Sequence, residues 1–426
     1  MINLKKLDGP FGIPVYHQHT PEMANTVSMA WLMMVGSADD CSVGSPGLYH
    51  WFEHVPFRGT KKYPRGAADI YGPFVPFNGD INAWTSKEYT NFNATVHKSQ
   101  WREMLSVITD MVANPLLTEE SIEAERRVIY QEIIGSLGSA GRRALYDLSG
   151  ILYPGHPLGH PVLGSEKSLA EMDADVLRLA HKLGYDRSRA VFVCVGGISE
   201  KELLDALSAE AANLPDHQLS ELRGPAYFGP LPSWQPGLIE KETDFASSVV
   251  YMLFPTIRNQ GGAAIMTKVV QDISLLDLVF EYGGFTSPLV RIVREERQLV
   301  YGCSMMGSTY AGGGYYGFKA SAKKDNIQGI VEAFGDVLRD PALRSLERLS
   351  EIKSSLSASM EMMPINPEVF RNQAASQYIN YGGVMISSQE AIDHVHKYTM
   401  DDVDAALSML QPQDAKIVIF KGMGKS

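Results

Sequence analysis

Two histidines and a carboxylate fall within five residues, His50-Trp51-Phe52-Glu53-His54, and no other short stretch of this sequence carries so much chemistry. Residues four apart on a helix share a face, so His50 and His54 can aim imidazole nitrogens at one metal ion. Glu53 lies on nearly the same side and can take a proton from a water held there. A catalytic zinc site uses three protein ligands and leaves one position for a water whose acidity the metal raises. With 11 histidines and 49 acidic residues in 426, the pattern arises by chance about 0.03 times. The bland alternative is two solvated histidines on an amphipathic helix, and it is tested by seeking a third ligand elsewhere.

The stretch SIEAERRVIYQEIIGS (121–136) offers Glu123, Glu125 and Glu132. Glu125 and Glu132 are seven apart, two helical turns, and so lie on one face. One could complete the metal site while the other orients a ligand from behind. Other histidine pairs read differently. His156 and His160 stand among prolines and glycines and suit a turn, while His17/His19 and His394/His396 alternate as in a strand or surface turn and are expected to be solvated. GGGYYG (312–317) has the spacing of a nucleotide loop, but strand-like text follows it where a helix is needed.

The elements that must position these residues follow from periodicity. Residues 26–36 read as a buried strand, Pro46 to about Arg58 as a helix, and INAWTSKEYTNFNATVH (81–97) as strands. Pro56 lacks an N–H, so the first helix is expected to end or kink just past the histidines. A helix stops at Asn114-Pro115, a longer one runs from about Glu119 to Ser136, and helices continue to about Leu183. RAVFVCVGG (189–197) is a further strand, and Ser199 with Glu202 opens another helix as a capping pair.

The second half repeats the first. The strands beginning at Thr26, Thr90 and Arg189 recur at Ser247, Tyr315 and Ala415, offsets of 221, 225 and 226 residues. A near-constant offset marks a duplication. The fold class expected is α+β, with two duplicated domains, each a mixed or antiparallel sheet packed with helices. The expected boundaries are 1–220 for a domain carrying the histidines, 221–236 for a proline-rich linker and 237–426 for the second domain. Shifting residues 50–54 by 225 gives LLDLV (275–279), without histidine, so the chemistry belongs to one half.

A net charge of −11 speaks against a nucleic-acid partner. The three cysteines form no C-x-x-C pair, which fits a reducing compartment. No apolar run approaches membrane length and no signal-like segment opens the chain, so the expectation is a cytoplasmic protein without a membrane partner.

At this point the text resembles the pitrilysin/insulinase family of zinc metallopeptidases, which includes the mitochondrial processing peptidases and carries the inverted zincin motif H-x-x-E-H. The resemblance rests on GLYHWFEHVPFRGT, FNGDINAWTSKEYT, NPLLTEESIEAERRVIYQEI, YPGHPLGHPVLGS and, in the second half, SPLVRIVREERQLVYG, in that order along nearly the whole chain. It implies His50, His54 and Glu132 as ligands to one Zn2+ per chain, Glu53 as general base, and Glu125 as a supporting glutamate. It implies Asn82 and Ala83 as part of an edge strand that pairs with extended peptide, and Arg294 and Tyr301 as a pair presented toward the scissile bond, able to donate hydrogen bonds to an oxyanion. It departs from the family at Val55-Pro56 and at His160. The activity implied is cleavage of unfolded or short peptides by a homodimer, with a related subunit as the other partner choice. The rival reading from another class is a non-catalytic peptide-binding or scaffolding subunit of a heterodimer. A weaker one is a non-peptidase metal hydrolase.

Overall fold

The computed structural model describes residues 3–42, 44–217, 231–256, 263–310, 313–362, 366–380 and 383–423. Two sheets organise it. The first contains β1 (Lys5–Asp8), β2 (Pro14–His19), β3 (Thr26–Met33), β4 (Asp80–Thr85), β5 (Thr90–His97) and β6 (Ala190–Gly196), in the order β1-β2-β6-β3-β5-β4. The second contains β7 (Gly237–Glu242), β8 (Ser248–Pro255), β9 (Cys303–Tyr310), β10 (Gly313–Ala322) and β11 (Lys416–Lys421), in the order β7-β11-β8-β10-β9. Without β1, the two orders correspond strand for strand. The β2–β6 and β7–β11 pairs are parallel, and every other pair is antiparallel. The duplication expected from the sequence is therefore one of topology. Residues 221–230 of the expected linker lie outside the described residues, and 231–236 run without regular structure into β7.

The central strands are buried on both faces, and side-chain alternation sends odd and even residues to different cores. In β3, Val27, Met29, Trp31 and Met33 join the main core of the first half, while Ala30 and Leu32 face the other way. That second face is covered from the far end of the chain. Phe370, Ala374 and Ala375 of helix Pro367–Asn380 pack there against Tyr16, Val191, Val193 and Val195. The exchange is mutual. In β8, Val250, Met252 and Phe254 face the second half's own helices, while Val249, Tyr251 and Leu253 meet Ala144, Leu148 and Leu152 of the first half's helix Ala140–Leu152. Burying apolar surface from both halves in shared cores ties the two sheets together.

The histidine-bearing helix is short, Leu48–His54, and a 3-10 turn over Val55–Arg58 follows with Pro56 in its first turn, buried. Two histidine expectations need correction. His394 and His396 sit in the last turn of a helix, Ser388–Lys397, not in a strand or turn. Ser387 and Glu390 form a capping box that starts this helix, and basic residues favour a helix C-terminus. His17 is in a strand but is not solvated. β2 is an inner strand, and the His17 ring is buried with Nε2 3.1 Å from the Ile198 carbonyl. His156 caps a 3-10 turn, its Nδ1 accepting from the Leu158 N–H at 3.2 Å. The GGGYYG stretch enters β10 at Gly313, and Gly312 lies outside the described residues. Among the described residues no helix is long and apolar enough to cross a membrane.

Candidate metal centre

The helix Leu48–His54 begins at Gly47, whose φ of 91° is open to glycine and strained for other residues. A Cβ at Gly47 would also come 2.7 Å from Gly164 Cα. Glycine has no side chain with which to cap the helix, and the buried Asp40 supplies one from upstream. Its carboxylate accepts from Gly47 N–H at 2.7 Å and Tyr49 N–H at 3.0 Å. The start of the helix is thereby fixed, and His50 and Glu53 point inward, both buried, while His54 is partly open.

The facing helix, Glu119–Leu137, is capped by Thr118, which accepts from Ser121 N–H, and buries Ile122, Glu125, Ile129 and Ile133 as its inner stripe. Glu132 lies beside that stripe. Its Oε2 is 3.5 Å from His50 Nε2 and 3.5 Å from His54 Nε2. One ligand atom from each of these three residues lies within 4.8 Å of the others, and this is a group of potential metal ligands among the described residues. Ligands about 2.1 Å from a tetrahedral zinc stand about 3.4 Å from one another, so the two 3.5 Å separations suit a shared ion. The donor set, two imidazoles and a carboxylate, is one that zinc takes.

Glu125 does something else. It is buried, its Oε2 is 3.2 Å from His54 Nδ1, and its Oε1 accepts from the Arg58 guanidinium. That contact fixes the His54 ring so that Nε2 is the nitrogen turned toward Glu132. Arg58 is supplied by the 3-10 turn after Pro56, so the helix stop adds a link to the site. Glu53 has one clear partner, Thr85 at the end of β4, whose hydroxyl donates to Glu53 Oε2 at 2.8 Å.

The charge states follow from these contacts. Burial holds His50 down to about 4. Burial also opposes charge on His54, but hydrogen bonds to Glu125 and Glu132 outweigh it and carry that ring up to about 10. The same bond from His54 holds Glu132 low. Burial pushes Glu125 up, and the bonds to His54 and Arg58 reverse this. Burial raises Glu53 to about 7, against the opposing pull of His54 and of the Thr85 hydroxyl. A carboxylate near 7 is suited to taking and returning protons at neutral pH.

The remaining expected site residues fall in two places. Asn82 and Ala83 are in β4, the outer strand of the first sheet, with β5 on one side and, among the described residues, no strand on the other. The Ala83 N–H donates to the neighbouring Asn82 Oδ1 at 2.9 Å. Arg294 lies in a π-helical turn, Arg291–Glu296, with its guanidinium carbon 5.0 Å from the Tyr301 ring centroid. The structure brings these two together, but no hydrogen bond or ion pair among the described residues links either to His50, Glu53, His54 or Glu132. Tyr301 is 89% exposed. Sequence reasoning did not find Asp40, Arg58 or Thr85. Arg58 alone had a local signal, since it follows His54 by four residues.

A duplicated sheet-and-helix domain with a histidine–histidine–glutamate cluster in its first copy is the fold of the inverted-motif metallopeptidases. Comparison with known proteins agrees, and the chain belongs to the insulinase family, peptidase family M16. Residues 16–166 match the insulinase (peptidase family M16) domain, and residues 171–356 match the domain described as the peptidase M16 inactive domain. His50, Glu53, His54 and Glu132 all fall in the first match. An uncharacterized zinc protease of Bacillus subtilis is 24% identical over 420 residues, covering 97% of each chain. A solved structure from Pseudomonas fluorescens, described as a peptidase M16 inactive domain, superposes with a TM-score of 0.85 at 17% identity, covering 99% of both chains. Pitrilysin superposes with a TM-score of 0.76 at 19% identity, and 99% of this chain covers 45% of pitrilysin.

Proposed function

We propose that this chain is a zinc endopeptidase acting on unfolded or short peptides, with one zinc held by His50, His54 and Glu132. The observation that carries this reading is the closeness of those three ligand atoms beside a buried Glu53. A zinc ion in such a site lowers the pKa of a bound water toward 7. Glu53 removes the proton from the attacking water and later delivers it to the leaving amine. Thr85 holds the Glu53 carboxylate in place, and Glu125 holds His54. An extended peptide adds to the free edge of β4 at Asn82 and Ala83, next to the helix that bears Glu53. That geometry favours a peptide over a compact small-molecule substrate.

Arg294 and Tyr301 stabilise the oxyanion from the partner of a homodimer. Tyr301 stands out from the second half, 89% exposed, with the Arg294 guanidinium against its ring. A two-fold dimer turns such a residue toward the other copy, giving two sites per pair. The chain carries both the ligand set and the Arg/Tyr pair, so it has no need of a related subunit. The division 1–220, 221–236 and 237–426 belongs to the same reading, as does a cytoplasmic site of action.

The test is zinc content of the purified protein, followed by cleavage of a quenched peptide library. One zinc per chain and cleavage are expected. Glu53→Gln keeps the zinc and loses about 100- to 10,000-fold in turnover. Wild-type protein that binds zinc yet cleaves no peptide favours the scaffolding reading, and cleavage by Glu53→Gln near the wild-type rate removes Glu53 from its role.

A further inference from the structure

The Arg294–Tyr301 contact has a third member that no motif marks. Phe285 lies in the turn Gly-Gly-Phe-Thr (283–286), and its ring centroid is 4.7 Å from the Arg294 guanidinium carbon. With Tyr301 at 5.0 Å, the guanidinium is in contact with two aromatic rings. Phe285 is 62% exposed, and it serves no core.

The turn is built to hold that ring out. Gly283 and Gly284 have φ of 97° and 57°, both in the left-handed region, and a Cβ on Gly283 would come 2.9 Å from Thr286 Oγ1. Thr286 N–H and Ser287 N–H donate back to the Gly283 and Gly284 carbonyls, each at 3.1 Å. The Ser287 hydroxyl then caps the Val290 N–H at 3.3 Å, starting the helical segment Pro288–Val290 that runs directly into the π-helical turn bearing Arg294. Phe285 and Arg294 therefore sit on one continuous, internally bonded piece of backbone. Arg294 also has a competing neighbour, Glu295, with Oε1 3.3 Å from its Nε. A planar guanidinium stacks on aromatic faces while its N–H groups stay at the edge, so the two rings and the Glu295 contact at Nε together set where the guanidinium lies.

We propose that Phe285 is a positioning residue for peptide hydrolysis. It holds the Arg294 guanidinium against the Tyr301 ring, with its edge N–H groups turned to the substrate. This rests on the reading that Arg294 and Tyr301 serve the oxyanion.

The test is a double-mutant cycle on the zinc-loaded enzyme, with NMR of the Arg294 side chain as a readout independent of activity. Phe285→Ala is expected to lower kcat about two- to fivefold with little change in KM, the range of an exposed cation–π contact. Phe285→Tyr restores the rate, and Phe285→Leu, which keeps bulk without a π face, does not. On an Arg294→Ala background, Phe285→Ala adds no further loss. The Arg294 Nε–H resonance shifts in Phe285→Ala and Phe285→Leu and stays in place in Phe285→Tyr. Multiplying losses in the double mutant, rescue by Leu as complete as by Tyr, or an unmoved Arg294 resonance each overturns the proposal. If Arg294→Ala leaves kcat/KM unchanged, the oxyanion reading fails, and the resonance still decides whether Phe285 holds Arg294.

Discussion

The two halves have the same strand order and opposite uses for it. In the first, the helix between β3 and β4 buries His50 and Glu53. In the second, the helix between β8 and β9, Ala263–Glu281, buries Leu275, Leu276, Val279 and Phe280. Each helix sends a carboxylate toward the outer strand that follows it. Glu53 accepts from the Thr85 side chain on β4, whereas Glu281 accepts from the Met305 backbone N–H on β9. On the function proposed, one scaffold thus supports a reactive carboxylate in one copy and a structural one in the other. The difference lies in a few side chains, as expected where function is carried by sites grafted on a fold.

The sharpest way to break this comparison is to weaken the proposed zinc site, whose His50, His54 and Glu132 lie in the first half. Glu125→Gln is expected to weaken zinc binding about 10- to 100-fold, because its carboxylate touches His54 and not the ion. Glu132→Gln should weaken it by more than that, since a proposed ligand itself is lost. Competition against a chromophoric chelator measures both. If the order of affinities is reversed, ligand and support have been assigned the wrong way round.

The next test asks whether the halves cooperate across chains. Glu53→Gln protein mixed with Tyr301→Phe protein forms mixed dimers in which both changes fall in one composite site and the other site is intact. Free exchange of equal amounts leaves roughly a quarter of sites fully native. Activity should rise to about that fraction of wild type, above either mutant alone. Proven exchange without recovered activity, or a monomer at working concentration, would remove the in-trans arrangement.

Much of this contrast was legible in the sequence, for definable reasons. H-x-x-E-H puts its chemistry within two turns of one helix, so spacing alone exposed it. The duplication was legible because buried strands are apolar runs that recur at a fixed offset. The choice of Glu132 over Glu125 needed the family resemblance, since spacing placed both on one face. Asp40, Arg58 and Thr85 act through contacts between separate elements, and apart from the spacing of Arg58 four residues after His54 nothing in local periodicity marks them. The crossed helices were hidden for a related reason: an amphipathic stripe shows that a helix is buried, not which sheet buries it. His17 and His394/His396 mislead because alternation alone shows neither the neighbours of a strand nor the helix that the Ser387/Glu390 cap starts.

The smallest effect sharpens the comparison at its closest point, the two carboxylates beside the two outer strands. Thr85→Val removes one hydroxyl and keeps the shape of the side chain. Burial holds Glu53 up at about 7, and the Thr85 hydroxyl is one of the groups pulling it back down. Losing that donor raises the Glu53 pKa further. The base form exists above its pKa, so the acid side of the activity–pH profile should move to higher pH by a fraction of a unit. That corresponds to a hydrogen bond worth about 1 kcal/mol or less after solvent and neighbours compensate. Turnover at neutral pH falls a few-fold, and the rate at higher pH approaches wild type. Glu281→Gln is the matched control. Its amide oxygen still accepts from Met305 N–H, so the pH profile and zinc content stay put and stability changes by about 1 kcal/mol or less. A shifted profile in Glu281→Gln, or an unmoved one in Thr85→Val, would mean that the two carboxylates are not divided between chemistry and structure in this way.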